Sequence, residues 1–106
     1  LRERYLATFD DVMERQRLDA VILPQSLSEV PLLATDENII ATSVSAINIA
    51  GLPQVSVPAG YYSSGTPFGI VVIGRLWTEA TLLGFAYDWE EHVHARRSPR
   101  LITSAR

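Results

Sequence analysis

Apolar residues recur every three or four positions over the first 17 residues. Tyr5, Leu6, Phe9, Val12 and Met13 fall on one helical face, while Asp10, Asp11, Glu14 and Arg15 fall largely on the other. No Gly or Pro interrupts, so the spacing predicts a surface helix packed on a core. The period then changes. In Asp19-Ala20-Val21-Ile22-Leu23-Pro24 four apolar residues run together and two of them are β-branched, which predicts a strand covered on both faces and ended by Pro24. Residues 25–40 show no period. Ser26, Ser28, Pro31, Thr35, Asp36 and Asn38 predict a long loop, a kind of segment that in compact domains is often functional or packed against the rest of the molecule.

Residues 41–50 carry no charge and predict a short buried helix. Thr42 or Ser43 is placed to cap its start, Gly51 suits the left-handed residue just past its end, and Pro53 prevents resumption. Gln54-Val55-Ser56-Val57-Pro58 alternates polar and apolar, as a half-buried strand does. A turn-rich connection over 59–67 leads to the continuous apolar run Phe68-Gly69-Ile70-Val71-Val72-Ile73-Gly74, and the two strands read as an antiparallel hairpin. Gly69 and Gly74 mark places where other atoms come close. Thr78 then opens a helix over 79–93, with Glu79 in the first turn where the helix dipole favours negative charge. Leu82, Leu83, Phe85, Ala86, Trp89 and Val93 form its apolar face.

The predicted fold class is therefore α/β, with about three strands and three helices in one unit, 1–106, whose residues 95–106 form a basic tail. Three helices are few to cover such apolar strands, and a three-stranded sheet leaves two edges to protect. The pattern predicts a slice of a larger sheet.

Composition narrows the chemistry. The 106 residues are 47% hydrophobic and 20% charged, the balance of a globular domain rather than a disordered chain. A net charge of −3 gives no electrostatic case for nucleic acid or an anionic membrane. No apolar run reaches the roughly 18–20 residues that a spanning helix requires. There is no Cys, so there is no disulfide framework and no thiolate, and the reducing cytoplasm is the expected compartment. All nine basic residues are Arg; the absence of Lys removes Schiff-base chemistry and a Ser–Lys pair. A first residue of Leu1 rather than Met suggests processing or an excerpt of a longer chain.

Few residues form a chemical constellation. Ser63-Ser64-Gly65 could present a nucleophile, but it lacks a base at short range and reads better as a turn. His92 and His94 point in different directions if helical, and with Glu90 they match no established zinc spacing. Asp10-Asp11 reads as an exposed helix pair. Arg96, Arg97, Arg100 and Arg106 lack interleaved aromatic residues in a net acidic chain and read as a solvated tail facing Glu79, Asp88, Glu90 and Glu91. No catalytic, cofactor-binding or metal-binding residue is assigned, and the substrate-binding residues are unknown. The loops 25–40 and 59–67, with Tyr61 and Tyr62, are the expected contributors to any pocket.

The ordered series Asn48-Ile49-Ala50-Gly51-Leu52-Pro53, Val55-Ser56-Val57-Pro58-Ala59-Gly60, Gly65-Thr66-Pro67-Phe68-Gly69-Ile70, Ile73-Gly74-Arg75 and Trp77-Thr78-Glu79-Ala80-Thr81-Leu82-Leu83 resembles the C-terminal region of the amidase signature family. Leu18-Asp19-Ala20-Val21-Ile22-Leu23-Pro24 and Arg97-Ser98-Pro99 extend the likeness to roughly residues 1–101. The resemblance implies a slice of the family's mixed sheet, and a parent protein that hydrolyses carboxamide C–N bonds in a small-molecule amide without a cofactor. The family's Ser-Ser-Lys catalytic set lies earlier in its sequence and maps to no residue here. The implied chain is a C-terminal fragment, inactive by itself, whose partners are a missing N-terminal amidase half or other copies of itself. The alternatives are a non-catalytic binding or interaction module and a subunit that pairs with a separate catalytic half.

Overall fold

The structure is a computed structural model and describes residues 1–39, 42 and 44–100. The amphipathic start forms helix α1, Arg2–Arg15. It ends two residues before its predicted limit because the chain reverses there: Leu18 N–H returns to the Met13 carbonyl at 2.9 Å, with Arg17 at a φ of 53°. Strand β1 is Val21–Pro24, helix α2 is Ser45–Ala50, strands β2 and β3 are Gln54–Tyr61 and Pro67–Ile73, and helix α3 is Glu79–Val93.

The expected hairpin is present. β2 and β3 pair antiparallel from Gln54↔Ile73 to Tyr61↔Pro67, with a register shift between Pro58 and Gly60. β1 adds antiparallel to the other side of β3, Val21↔Ile73 to Pro24↔Ile70, so the sheet order is β1-β3-β2. This order explains the continuous apolar run in β3. A central strand buries both faces, and Val71, Val72 and Ile73 are all buried. β1 departs from expectation. As an edge strand it alternates, leaving Ile22 exposed, because only one of its faces meets a helix.

One sheet face carries Leu23, Val71 and Ile73, which pack with Ile47, Ala50 and Leu52 and with Leu6 and Phe9 of α1. On the opposite face lie Val57 and Val72, and α3 packs against β2 there. The helix expected over 41–50 is shorter. Thr42 instead forms an isolated bridge with Ser26, and Val44 is the residue before the helix, with no side-chain cap. Ser43, the other expected cap, lies outside the described residues. Gly51 takes the left-handed conformation, φ 75°, that ends the helix as its position predicted. Thr78 precedes α3 as expected, but its hydroxyl donates backwards to the Arg75 carbonyl at 2.7 Å instead of capping the helix.

Candidate functional site

The chemistry-bearing residues of different segments meet at the tip of the β2–β3 hairpin. The tip closes on itself: Tyr62 N–H donates to the Thr66 carbonyl at 2.8 Å and Gly65 N–H to the Tyr62 carbonyl at 2.9 Å. Gly65 holds a φ of 91°, a conformation that a side chain would strain. Below the tip, the Tyr62 and Phe68 rings meet at 5.3 Å between centroids.

Two other segments are fastened to this tip. From the loop after β1, the Glu29 carboxylate accepts a hydrogen bond from Ser64 Oγ. Ser64 Oγ in turn accepts the Thr66 N–H at 3.2 Å and lies 3.1 Å from Thr66 Oγ1. Hydrogen bonds from Ser64 first, and then Thr66, hold the Glu29 carboxyl below its ordinary value of 4.5. From the other side, the segment after α3 donates Arg97 N–H to the Tyr61 hydroxyl at 3.0 Å, and the Arg97 guanidinium sits 4.8 Å from the Tyr61 ring centroid. Sequence reasoning named Tyr61, Tyr62, Ser64 and Arg97 separately. It missed Glu29, whose partner is 35 residues away and which carries no local signal.

Grooves among the described residues flank the sheet. One, about 200 Å³, lies between the register shift of β2 and the end of α3, lined by Pro58, Trp89, Glu90, His94 and Arg96. Trp89 Nε1–H anchors this corner by donating to the Pro58 carbonyl at 2.9 Å. Another, about 360 Å³ and apolar, runs under α1 past Phe9, Met13, Val21, Leu23, Ile47 and Ile73.

The remaining candidates stay apart. His92 Nδ1 lies 2.7 Å from the Asp88 carbonyl within α3, while His94 sits at the helix end with a φ of 49°. Among the described residues, no three of His, Asp and Glu form a group able to hold a metal ion. Asp11 pairs with Arg15 on the exposed side of α1. The expected pairing of the basic tail with Glu79, Asp88, Glu90 and Glu91 is absent among the described residues; Arg97 turns to Tyr61 instead. Arg106 lies outside them. No described helix is long and apolar enough to cross a membrane.

Comparison with known proteins places this arrangement. The family model described as Amidase matches residues 1–83. A fatty acid amide hydrolase of Arabidopsis thaliana is 34% identical over 96% of this chain and 18% of its own length. One of the subunits of the glutamyl-tRNA(Gln) amidotransferase of Neisseria meningitidis is 37% identical over 68% of this chain and 16% of its own. The native peptide amidase of Stenotrophomonas maltophilia superposes with a TM-score of 0.74 at 32% identity, over 89% of this chain and 18% of that one. The chain thus spans less than a fifth of the length of these relatives.

These matches correct the expectation of a likeness to the family's C-terminal region only. The similarity runs along 87% to 96% of this chain. The fragment reading built on that expectation, with its alternatives of a non-catalytic module and a separately completed subunit, is corrected to family membership, since the family model matches residues 1–83. The expected partners, a missing N-terminal half or other copies of the chain, are not carried by these matches, which run along the chain itself. The physical reason is visible in the core. Ile47 and Ala50 of α2 and Val71 and Ile73 of β3 find their cover within the chain, from one another and from α1.

Proposed function

This chain belongs to the amidase family, and from that membership we propose that the protein hydrolyses the C–N bond of carboxamides, releasing ammonia or an amine. The observation that carries the reading is the joint agreement of sequence and fold: 32% identity and a TM-score of 0.74 to a peptide amidase over 89% of the chain. The relatives in sequence are an amide hydrolase and an amidotransferase, which favours an amide carbonyl as the reacting group. The loops 25–40 and 59–67 are proposed to shape the approach to the substrate, with the half-buried Tyr61 and Tyr62 presenting apolar rings and hydroxyl groups. No cofactor is required for such hydrolysis. The cytoplasm is proposed as the setting, since a sequence without Cys does not depend on an oxidising compartment.

The test uses the protein expressed from its complete reading frame. Ammonia release is followed over a panel of small aliphatic amides, peptide C-terminal amides and long-chain fatty amides. Release above that of a heat-denatured sample, for at least one class, is expected. No release from any class would overturn the reading.

A further inference from the structure

The groove at the end of α3 has walls pinned at two points. Trp89 donates its indole N–H to the Pro58 carbonyl at 2.9 Å. Past the helix, His94 takes a left-handed conformation, φ 49°, and the chain runs on to Arg97, whose N–H reaches the Tyr61 hydroxyl and whose guanidinium lies over the Tyr61 ring. Residues 94–96 thus lie between two fixed points on β2, and a gap of about 200 Å³ stays open beside them. β2 is irregular at the same place: Pro58 pairs with Gly69 and Gly60 with Phe68, so Ala59 is skipped. Bulges of this kind are frequent beside active sites. Glu90, His94 and Arg96 border the gap with Trp89. Glu90 brings a negative charge and Arg96 a positive one, yet among the described residues the only ion pair joins Asp11 and Arg15. Two opposite charges share one groove and neither is spent within the protein.

We propose that this groove binds a small zwitterion, an α-amino acid with an apolar side chain, its ammonium at Glu90, its carboxylate at Arg96 and its hydrocarbon part against Trp89. The volume lies below the roughly 300–1,000 Å³ of sites for drug-sized ligands, which limits the occupant to a molecule of about this size. One charge of each sign on the walls matches one of each sign on the ligand. The end of α3, at Val93, adds the negative end of the helix dipole on the ammonium side. Trp89 supplies its ring alone, since its N–H is already taken by Pro58. The two pins hold the walls before the ligand arrives, so little ordering remains for binding to impose. The site stands on this geometry whether or not amide hydrolysis is the reaction.

Titration of the full-length protein with L-leucine tests it, beside 4-methylpentanoate, which lacks the ammonium, and 3-methylbutylamine, which lacks the carboxylate. The readout is the Trp89 indole N–H resonance in protein carrying nitrogen-labelled tryptophan, identified by its loss in Trp89→Phe. A saturable shift with L-leucine is expected, and each one-charge probe should bind about three- to tenfold more weakly, the worth of one exposed charge-assisted contact. Glu90→Gln should weaken L-leucine by a similar factor and leave 4-methylpentanoate unchanged. Arg96→Gln should weaken L-leucine and leave 3-methylbutylamine unchanged. Both side chains are exposed, so neither variant threatens the fold. The proposal is overturned if L-leucine gives no saturable shift, if either one-charge probe binds as tightly as L-leucine, or if the two variants weaken all three ligands alike. The readout does not involve amide turnover, so failure of this site and failure of the amidase reading are separate results.

Discussion

Replacing Gly74 by Ala tests how closely α3 is packed on the end of β3. Gly74 follows the last residue of β3, and its N–H donates to the Pro53 carbonyl at 3.2 Å. A Cβ there would overlap Thr78 Oγ1 and stand 3.2 Å from Leu82 Cδ2. Neither neighbour yields easily. Thr78 Oγ1 is held by its 2.7 Å bond to the Arg75 carbonyl, and Leu82 is 2% exposed. Gly74 has no positive φ, so the alanine backbone is not strained and the cost is steric. Overpacking of this kind costs about 1–3 kcal/mol, and the stiffer unfolded chain returns about 0.4–1 kcal/mol. The net expectation is a loss of about 1–2 kcal/mol. Thr78→Ala by itself removes one hydrogen bond, a loss of about 1 kcal/mol, but it also removes the atom that the new methyl group would strike. In that background Gly74→Ala should therefore cost about 1 kcal/mol less than in the parent. Urea unfolding followed by the fluorescence of Trp77 and Trp89 gives all four stabilities. A Gly74→Ala protein as stable as the parent, or a penalty unchanged by Thr78→Ala, would refute the packing argument.

Gly84→Ala should do the opposite: it lies exposed inside α3 with nothing within 4 Å of the new methyl, so a gain of about 0.5–1 kcal/mol is expected, and a loss in the same urea assay would contradict it. Trp89→Phe removes the donor to the Pro58 carbonyl while keeping a ring beside Phe85, whose centroid is 6.2 Å away; a loss of about 1 kcal/mol is expected, and unchanged stability would show that the anchor is idle. Glu29 is ionised more readily folded than unfolded, so its contribution is full above the ordinary value of 4.5 and is lost as pH falls through the lowered folded value. Amide hydrogen exchange across 27–38, corrected for intrinsic rates, should therefore be protected at neutral pH and rise in acid, whereas a pH-independent profile, matching that of Glu29→Gln, would sink the assignment.

Local order was largely legible in the sequence. The helices α1 and α3 follow from a 3.6-residue period, and the β2–β3 hairpin follows from alternation, an apolar run and the turn residues between them. Those signals are carried by neighbours a few positions apart. The end of α2 was legible for the same reason, because Gly51 supplies a backbone conformation that other residues resist. The family was legible too, since several short motifs in one order specify more than any of them singly.

The tertiary structure decided the rest, because the deciding partners are distant in sequence. Nothing local states that β1 pairs with β3, and only that pairing makes β3 central and β1 a half-covered edge. The helix started later than expected because Thr42 met Ser26 across 16 positions. Glu29 with Ser64, Tyr61 with Arg97 and Pro58 with Trp89 are joined across 31 to 36 residues, and their types alone do not select one another. The expectation of bare apolar strands failed for β3 on the same point, whereas β1 leaves Ile22 exposed. Hydrophobic pattern states how much surface must be buried, whereas packing alone determines that α1, α2 and the sheet face bury Ile47, Val71 and Ile73 among themselves.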